Sequence, residues 1–69
     1  MDAEFLKSME EIVSAIRSAG YDPYDQLLGY LRTGELYYIT RQDGAREKIT
    51  QLDRELIRQY METVLRPES

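Results

Sequence analysis

The sequence between residues 20 and 46 limits the possible folds more than any other stretch, because it holds all four glycines, five of the six tyrosines and the first proline. Asp22-Pro23 is a typical helix start, with a carboxylate that can cap free backbone N–H groups and a proline at the first helical position. Thr33-Gly34 is a typical helix end, since glycine readily adopts the left-handed conformation that follows a last turn. The stretch therefore predicts a short helix between these two pairs.

A tyrosine-rich segment follows this helix, and residues 35–39 are termed the elbow. The segment has high strand propensity, but it is too short for a hairpin and has no obvious partner strand. We therefore expect an extended connector that lays its tyrosines on the core edge or on a protein interface. Within the preceding helix, Gly29 costs about 1 kcal/mol relative to alanine, which predicts the close approach of another helix at that point.

The N-terminal flank has the periodicity of an amphipathic helix over residues 3–19, and it ends before Gly20, a typical C-terminal capping residue. A membrane-surface helix would need lysine and arginine on its polar face. That face is mixed to acidic here, so packing into a core is favoured. The apolar stripe consists of Phe5, Leu6, Met9, Ile12, Val13 and Ile16.

Residues 41–65 carry a second apolar stripe at helical spacing, and Thr40 with Asp43 resembles a capping box at its start. The stripe fits either one unbroken helix or two helices with a break at Asp53, which would cap the last one. We expect the break. Together these segments predict a single all-α domain over residues 1–69, with three to four helices and an extended, tyrosine-rich connector.

Cysteine and histidine are both absent from the sequence. Disulfides, the usual zinc sites, thiol nucleophiles and imidazole bases are thereby excluded, and no glycine-rich phosphate loop is present. We therefore expect no catalytic residues, no metal and no cofactor, and interpret the chain as a non-enzyme. No apolar run is long enough for a signal peptide or a membrane span, so we expect a cytoplasmic protein that does not bind membranes.

The formal net charge of −4, from nine basic and thirteen acidic side chains, disfavours binding to nucleic acid. A small helix-turn-helix regulator that reads nucleic acid with residues 42–48 is the alternative function that the order of elements leaves open. The acidic charge argues against it, and so does the elbow, which is longer than the usual turn of three or four residues.

Thr40, Arg41 and Arg46 form the most suggestive polar group. At a helix N-terminus they could hold an anion, such as a phosphorylated side chain or a nucleotide. The simpler interpretation is a helix cap with solvated arginines that pair with neighbouring carboxylates. The pattern favours this simpler interpretation, and the three residues remain a candidate interaction or anion site.

Fifteen residues at fixed spacing give the sequence a resemblance to a known family. They are Gly20, Tyr21, Pro23, Gln26, Gly29, Tyr30, Leu31, Gly34, Tyr38, Ile39, Thr40, Arg41, Ala45, Arg46 and Ile49. The pattern resembles the IreB family of small bacterial proteins. The resemblance implies a helical homodimer that regulates rather than catalyses, acting in cell-envelope stress signalling downstream of a transmembrane Ser/Thr kinase, with protein partners from that pathway.

The family's phosphoacceptor threonine lies in a flexible N-terminal tail, which this sequence does not match. Ser8 is the only hydroxyl residue before Ser14, and it falls inside the helical periodicity of the N-terminal segment. We therefore expect the phosphoacceptor tail to be missing from this sequence.

A homodimer is also expected from size, because a domain of this length buries only about 60% of its unfolded surface. The last helical segment has an apolar face wider than one neighbouring helix needs to cover, and the elbow adds two tyrosines. The expected dimer interface consists of Tyr37, Tyr38, Leu56, Ile57, Tyr60, Met61, Val64 and Leu65.

Overall fold

The computed structural model describes residues 1–66, and within them it contains four α-helices, two short 3-10 turns and no β-strand. The prediction of an all-α fold is therefore confirmed. None of the helices in this range is both long enough and apolar enough to span a bilayer. The elements are α1 (Ala3–Ser18), α2 (Pro23–Thr33), a first 3-10 turn (Leu36–Tyr38), a second 3-10 turn (Gln42–Gly44), α3 (Ala45–Thr50) and α4 (Arg54–Thr63).

Three of the four helices start at an aspartate whose side chain accepts backbone N–H groups. Asp2 accepts one such bond at 2.8 Å, and Asp22 accepts one at 3.1 Å. Asp53 accepts two, at 2.8 and 3.1 Å, and thereby starts α4 as a separate helix. The predicted helix start at Asp22 and the predicted break at Asp53 are both confirmed. Gly34 ends α2 in a left-handed conformation with φ of 76°, as expected.

The hydrophobic core lies between α1 and the other elements. Helix α1 packs against α3, the second 3-10 turn and α2, while α2 also packs against α4. The Phe5 ring meets the Tyr60 ring edge to face, with centroids 6.3 Å apart. The buried apolar residues are Phe5, Met9, Ile12, Val13, Ala15, Ile16, Leu27, Tyr30, Ile39, Ala45, Ile49, Ile57, Tyr60 and Met61.

The segment between the elbow and α3 differs from its prediction. Thr40 and Asp43 do not form a capping box, because Asp43 and Gly44 both have left-handed backbones, with φ of 51° and 71°. Two consecutive left-handed residues cannot belong to an α-helix, so α3 begins only at Ala45. A helix of six residues that starts this late does not provide the recognition helix that a helix-turn-helix needs.

Candidate interaction site

The elbow displays one tyrosine and packs the other against the domain. Tyr37 is 65% exposed, whereas Tyr38 is half-buried. The two rings stack with centroids 4.5 Å apart and planes 25° from parallel. Hydrogen bonding with Tyr38 raises the pKa of Tyr37, and the charge of nearby Glu35 raises it further. Instead of the expected extended connector, residues 36–38 form a 3-10 turn, which brings the adjacent rings together.

Tyr38 rests on the backbone of α2 at Gly29. A Cβ atom at this glycine would lie only 2.7 Å from Cδ1 and 2.9 Å from Cγ of the Tyr38 ring. Glycine is therefore required here for close approach. The prediction that another part of the chain approaches α2 closely at Gly29 is confirmed. The prediction that this part is a helix is wrong, because the neighbour is the Tyr38 side chain of the elbow.

Side chains from α2 and α3 fix the backbone of the elbow. The Arg46 Nε group donates to the Ile39 carbonyl at 2.7 Å, and Nη2 donates to the Tyr37 carbonyl at 3.4 Å. On the other side, the Thr40 backbone N–H donates to Oε1 of Gln26 at 2.9 Å. No residue of the first 3-10 turn is fully buried, but Leu36 packs against the core and Ile39 directly after the turn is fully buried. These apolar contacts, the hydrogen bonds and the contact at Gly29 together set the position of the turn.

The candidate anion site is organised differently from the helix N-terminus that the sequence suggested. The Thr40 hydroxyl oxygen accepts from the Gln42 backbone N–H at 3.2 Å, before a 3-10 turn rather than before an α-helix. Arg46 turns towards the elbow carbonyls, and Arg41 is exposed. Within residues 1–66, neither arginine lies in an ion pair, so the predicted pairing with neighbouring carboxylates is wrong for both.

The other cations of α3 and α4 are paired or held at carbonyl groups. Arg58 bonds to Glu55 and Glu62 at 2.6 Å each, which raises its own pKa and lowers the pKa of Glu55. Lys48 lies 3.7 Å from Glu11 of α1.

Arg54 at the start of α4 joins α4 to the end of α2. Its Nη2 group donates to the Leu31 carbonyl at 2.6 Å, and its guanidinium lies 5.7 Å from the centre of the Tyr30 ring. A cation over an aromatic face is stabilising, so Arg54 supports the packing of α2 on α4 in two ways.

The apolar face of α4 is mostly a core face rather than an exposed one. Ile57, Tyr60 and Met61 are 0%, 4% and 2% exposed within the single chain. The structure therefore corrects the expected dimer interface at these three positions, because α1 and α2 already cover them. Of the remaining positions, Leu56, Leu65 and Tyr38 are half-buried, while Val64 and Tyr37 are exposed.

Val64 and Leu65 lie in a shallow groove beside the second half of α1, which Val13 and Arg17 also line. Val64 is 56% exposed and supplies, with Leu65, the apolar part of the groove, while Glu10, Ser14, Arg17 and Ser18 make the rest of its lining polar. The exposed members of the expected interface, Val64 and Tyr37, therefore lie at the groove and at the elbow, and half-buried Leu56 lies in a separate groove beside the start of α1.

One residue that helps to fix the site was not recognised from the sequence as doing so. The side chain of Gln26 makes a bond that spans 14 residues along the chain. Gln26 is one of the fifteen residues of the family pattern, which could have indicated that its side chain makes a structural contact. Its partner is the backbone amide of Thr40, and a backbone amide cannot be identified from residue types.

Residues 1–66 form a small helical domain that presents stacked tyrosines next to two arginines without an ion-pair partner in that range. The family model of the IreB regulatory phosphoproteins matches residues 2–66 of the 69-residue chain, and the chain belongs to this family. Family membership supports a regulatory role and is consistent with a protein that does not catalyse a reaction.

Proposed function

We propose that this chain is a non-enzymatic regulator that acts through protein–protein contacts, with the elbow as its main contact surface. The exposure of Tyr37 carries the proposal, because this ring is 65% exposed although its position is fixed by stacking and by Arg46. An aromatic side chain that is already ordered loses little conformational entropy on binding. Tyrosine and arginine are also the residues that most often dominate binding energy at interfaces.

The proposed setting is the cytoplasm, in cell-envelope stress signalling downstream of a Ser/Thr kinase. Membership in a family of regulatory phosphoproteins supports a pathway that involves a kinase. The proposed partners are therefore components of that pathway.

The proposal also includes a homodimer, with its interface at the groove that Val64 and Leu65 line. Val64 and Leu65 form the apolar part of this groove next to α1, Val64 is exposed in the single chain, and a domain of this size gains stability from covering such a surface. Sedimentation equilibrium of the wild type and Val64→Glu checks this part. We expect a dimer that the charge weakens at least tenfold, and a wild type that stays monomeric at high concentration would contradict it.

The regulatory proposal is tested in a deletion strain of the native host that carries the wild type, Tyr37→Ala or Tyr21→Ala and grows under an envelope-directed antibiotic. Tyr21 is a matched control, since it is 58% exposed but lies outside the elbow. We expect Tyr37→Ala to behave like the deletion and Tyr21→Ala like the wild type, with both variants equally helical by circular dichroism. Full complementation by Tyr37→Ala would refute the proposed surface.

A further inference from the structure

We propose that the elbow binds an acidic segment of a partner protein, with a carboxylate at Arg41 and Arg46 and a flat apolar side chain on the Tyr37 ring. This inference rests on the proposed function and specifies the chemistry of the partner. Two observations carry it: two arginines that have no ion-pair partner within residues 1–66, and an aromatic ring beside them that is 65% exposed.

The first observation concerns Arg46. The residue is half-buried, and its guanidinium donates to two neutral carbonyls, at 2.7 and 3.4 Å. Among the residues that the structure describes, no carboxylate lies within 4.0 Å of it, in contrast to Arg58 with its two glutamates. A guanidinium binds a carboxylate more strongly than a neutral carbonyl. A partner carboxylate would therefore supply the counter-charge that residues 1–66 do not.

Arg41 places a second positive charge next to the elbow. It follows Thr40, whose backbone N–H is held by Gln26, so the backbone that carries Arg41 is fixed as well. Arg41 is exposed, and across residues 1–66 it too has no ion-pair partner. Arg41 and Arg46 alternate along the chain with Glu35, Asp43 and Glu47, so the segment as a whole is not positive. The two guanidinium groups are nevertheless the points in it at which a partner carboxylate would form a charge-assisted hydrogen bond.

The Tyr37 ring supplies the apolar part of the surface. One face stacks on Tyr38, and the 65% exposure of the residue leaves the other face open. Offset stacking on such a face is favourable for aromatic rings. The segment that fits best therefore combines glutamate or aspartate with a neighbouring aromatic or proline residue.

A second copy of this chain is the competing occupant of the elbow. A two-fold axis at this surface would place Arg41 or Arg46 of one copy opposite a different residue of the other, such as Glu35 or Asp43. The concentration dependence of the elbow signals without peptide distinguishes a second copy from a different protein.

The test uses the full chain, labelled with ¹⁵N, and a synthetic probe peptide of sequence EEYPEE, followed by NMR. We expect peptide-induced shifts at the amides of residues 36–41 and at the Arg46 side chain, decreasing as salt is added. The matched peptide QQYPQQ should bind at least tenfold more weakly. Arg41→Gln should weaken binding of EEYPEE about fivefold, whereas Arg32→Gln, which removes an exposed arginine outside the elbow, should leave it unchanged.

Several outcomes would overturn the inference. Equal binding of the two peptides would show that charge is not recognised, and shifts away from the elbow would place binding elsewhere. Elbow shifts that appear without peptide when the protein is concentrated would make a second copy the occupant. If Tyr37→Ala abolishes regulation in cells while Arg41→Gln leaves it intact, the acidic partner is refuted and the proposed function stands. Regulation that persists in Tyr37→Ala refutes the proposed function itself.

Discussion

The core around α1 and the elbow are stabilised in different ways. In the core, Met9, Ile12 and Ile16 are fully buried and contact apolar neighbours from several elements. In the elbow, apolar burial is limited to Ile39 and, in part, Leu36, and hydrogen bonds with Arg46 and, just after the elbow, with Gln26 add to it. Apolar burial is non-directional, so it stabilises the fold without fixing fine geometry. Hydrogen bonds are directional, and they orient the surface that we propose for recognition.

The largest effect should come from a charge in the core face of α4. Met61 is 2% exposed, so Met61→Glu must either bury a carboxylate or unfold the helix, at an expected cost of about 3–5 kcal/mol. Urea unfolding followed by circular dichroism measures this. The control is Gln59→Glu, a change at an exposed position of the same helix that should alter stability by less than about 0.5 kcal/mol. Equal stability of the two variants would contradict the division between core and surface.

The next prediction tests whether the Tyr38 ring is the reason that glycine is required at position 29. Alanine gains about 1 kcal/mol in a helix interior, yet Gly29→Ala should destabilise by about 1–2 kcal/mol because its Cβ would collide with the Tyr38 ring. In a Tyr38→Ala background the same change should become stabilising. Urea melts of the four proteins in this cycle give the coupling energy. An identical effect of Gly29→Ala in both backgrounds would show that the ring is not the cause.

A smaller effect is expected when one hydrogen bond to the segment after the elbow is removed. Gln26→Ala leaves the Thr40 N–H without its partner and should cost about 0.5–1.5 kcal/mol. It should also reduce the near-ultraviolet circular dichroism of the stacked tyrosines. Gln59→Ala on the exposed face of α4 is the control and should change neither quantity. If the tyrosine signal survives in Gln26→Ala, Arg46 and Gly29 hold the elbow without help.

The smallest effect concerns alkaline pH and compares a core tyrosine with an elbow tyrosine. Burial raises the pKa of Tyr60 above its ordinary value of 10.0, and the charge of Glu10 adds to this. The neutral ring therefore stabilises the fold fully below about pH 10, and this contribution is lost as pH rises through the folded-state pKa. Tyr60→Phe should reduce the loss of stability between neutral and alkaline urea melts. Tyr37→Phe, at an exposed position, should reduce it less.

The parts of the fold that follow from local chemistry could be predicted from the sequence. Asp22-Pro23, Gly34 and Asp53 fix helix ends through bonds within a few residues, and these ends were placed correctly. The predicted capping box at Thr40 is wrong for a related reason. A capping box needs a helical backbone in the residues that follow its first member, and Asp43 has a left-handed backbone instead. The Asp43-Gly44 pair is itself a local turn signal, and the second 3-10 turn that contains it packs against α1.

The candidate site could be predicted only in part. Helical spacing identified the apolar face that includes Met61, but spacing does not reveal whether the same chain or a partner covers that face. Likewise, the tyrosines of the elbow were recognised as a surface candidate, whereas the contacts of Arg46 with carbonyls seven and nine residues earlier were not. These contacts join different elements, so they depend on the packed structure.

The bond between Gln26 and Thr40 gives this small domain a built-in reporter. Most backbone amides in the helices are bonded to carbonyls of the same helix, so their hydrogen exchange reports fraying or unfolding of that helix. The Thr40 amide instead depends on a side chain from α2. Its exchange rate should follow the separation of the elbow from α2 alone, and a bound partner that stiffens the elbow would slow exchange at this one amide while those of α1 keep their rates.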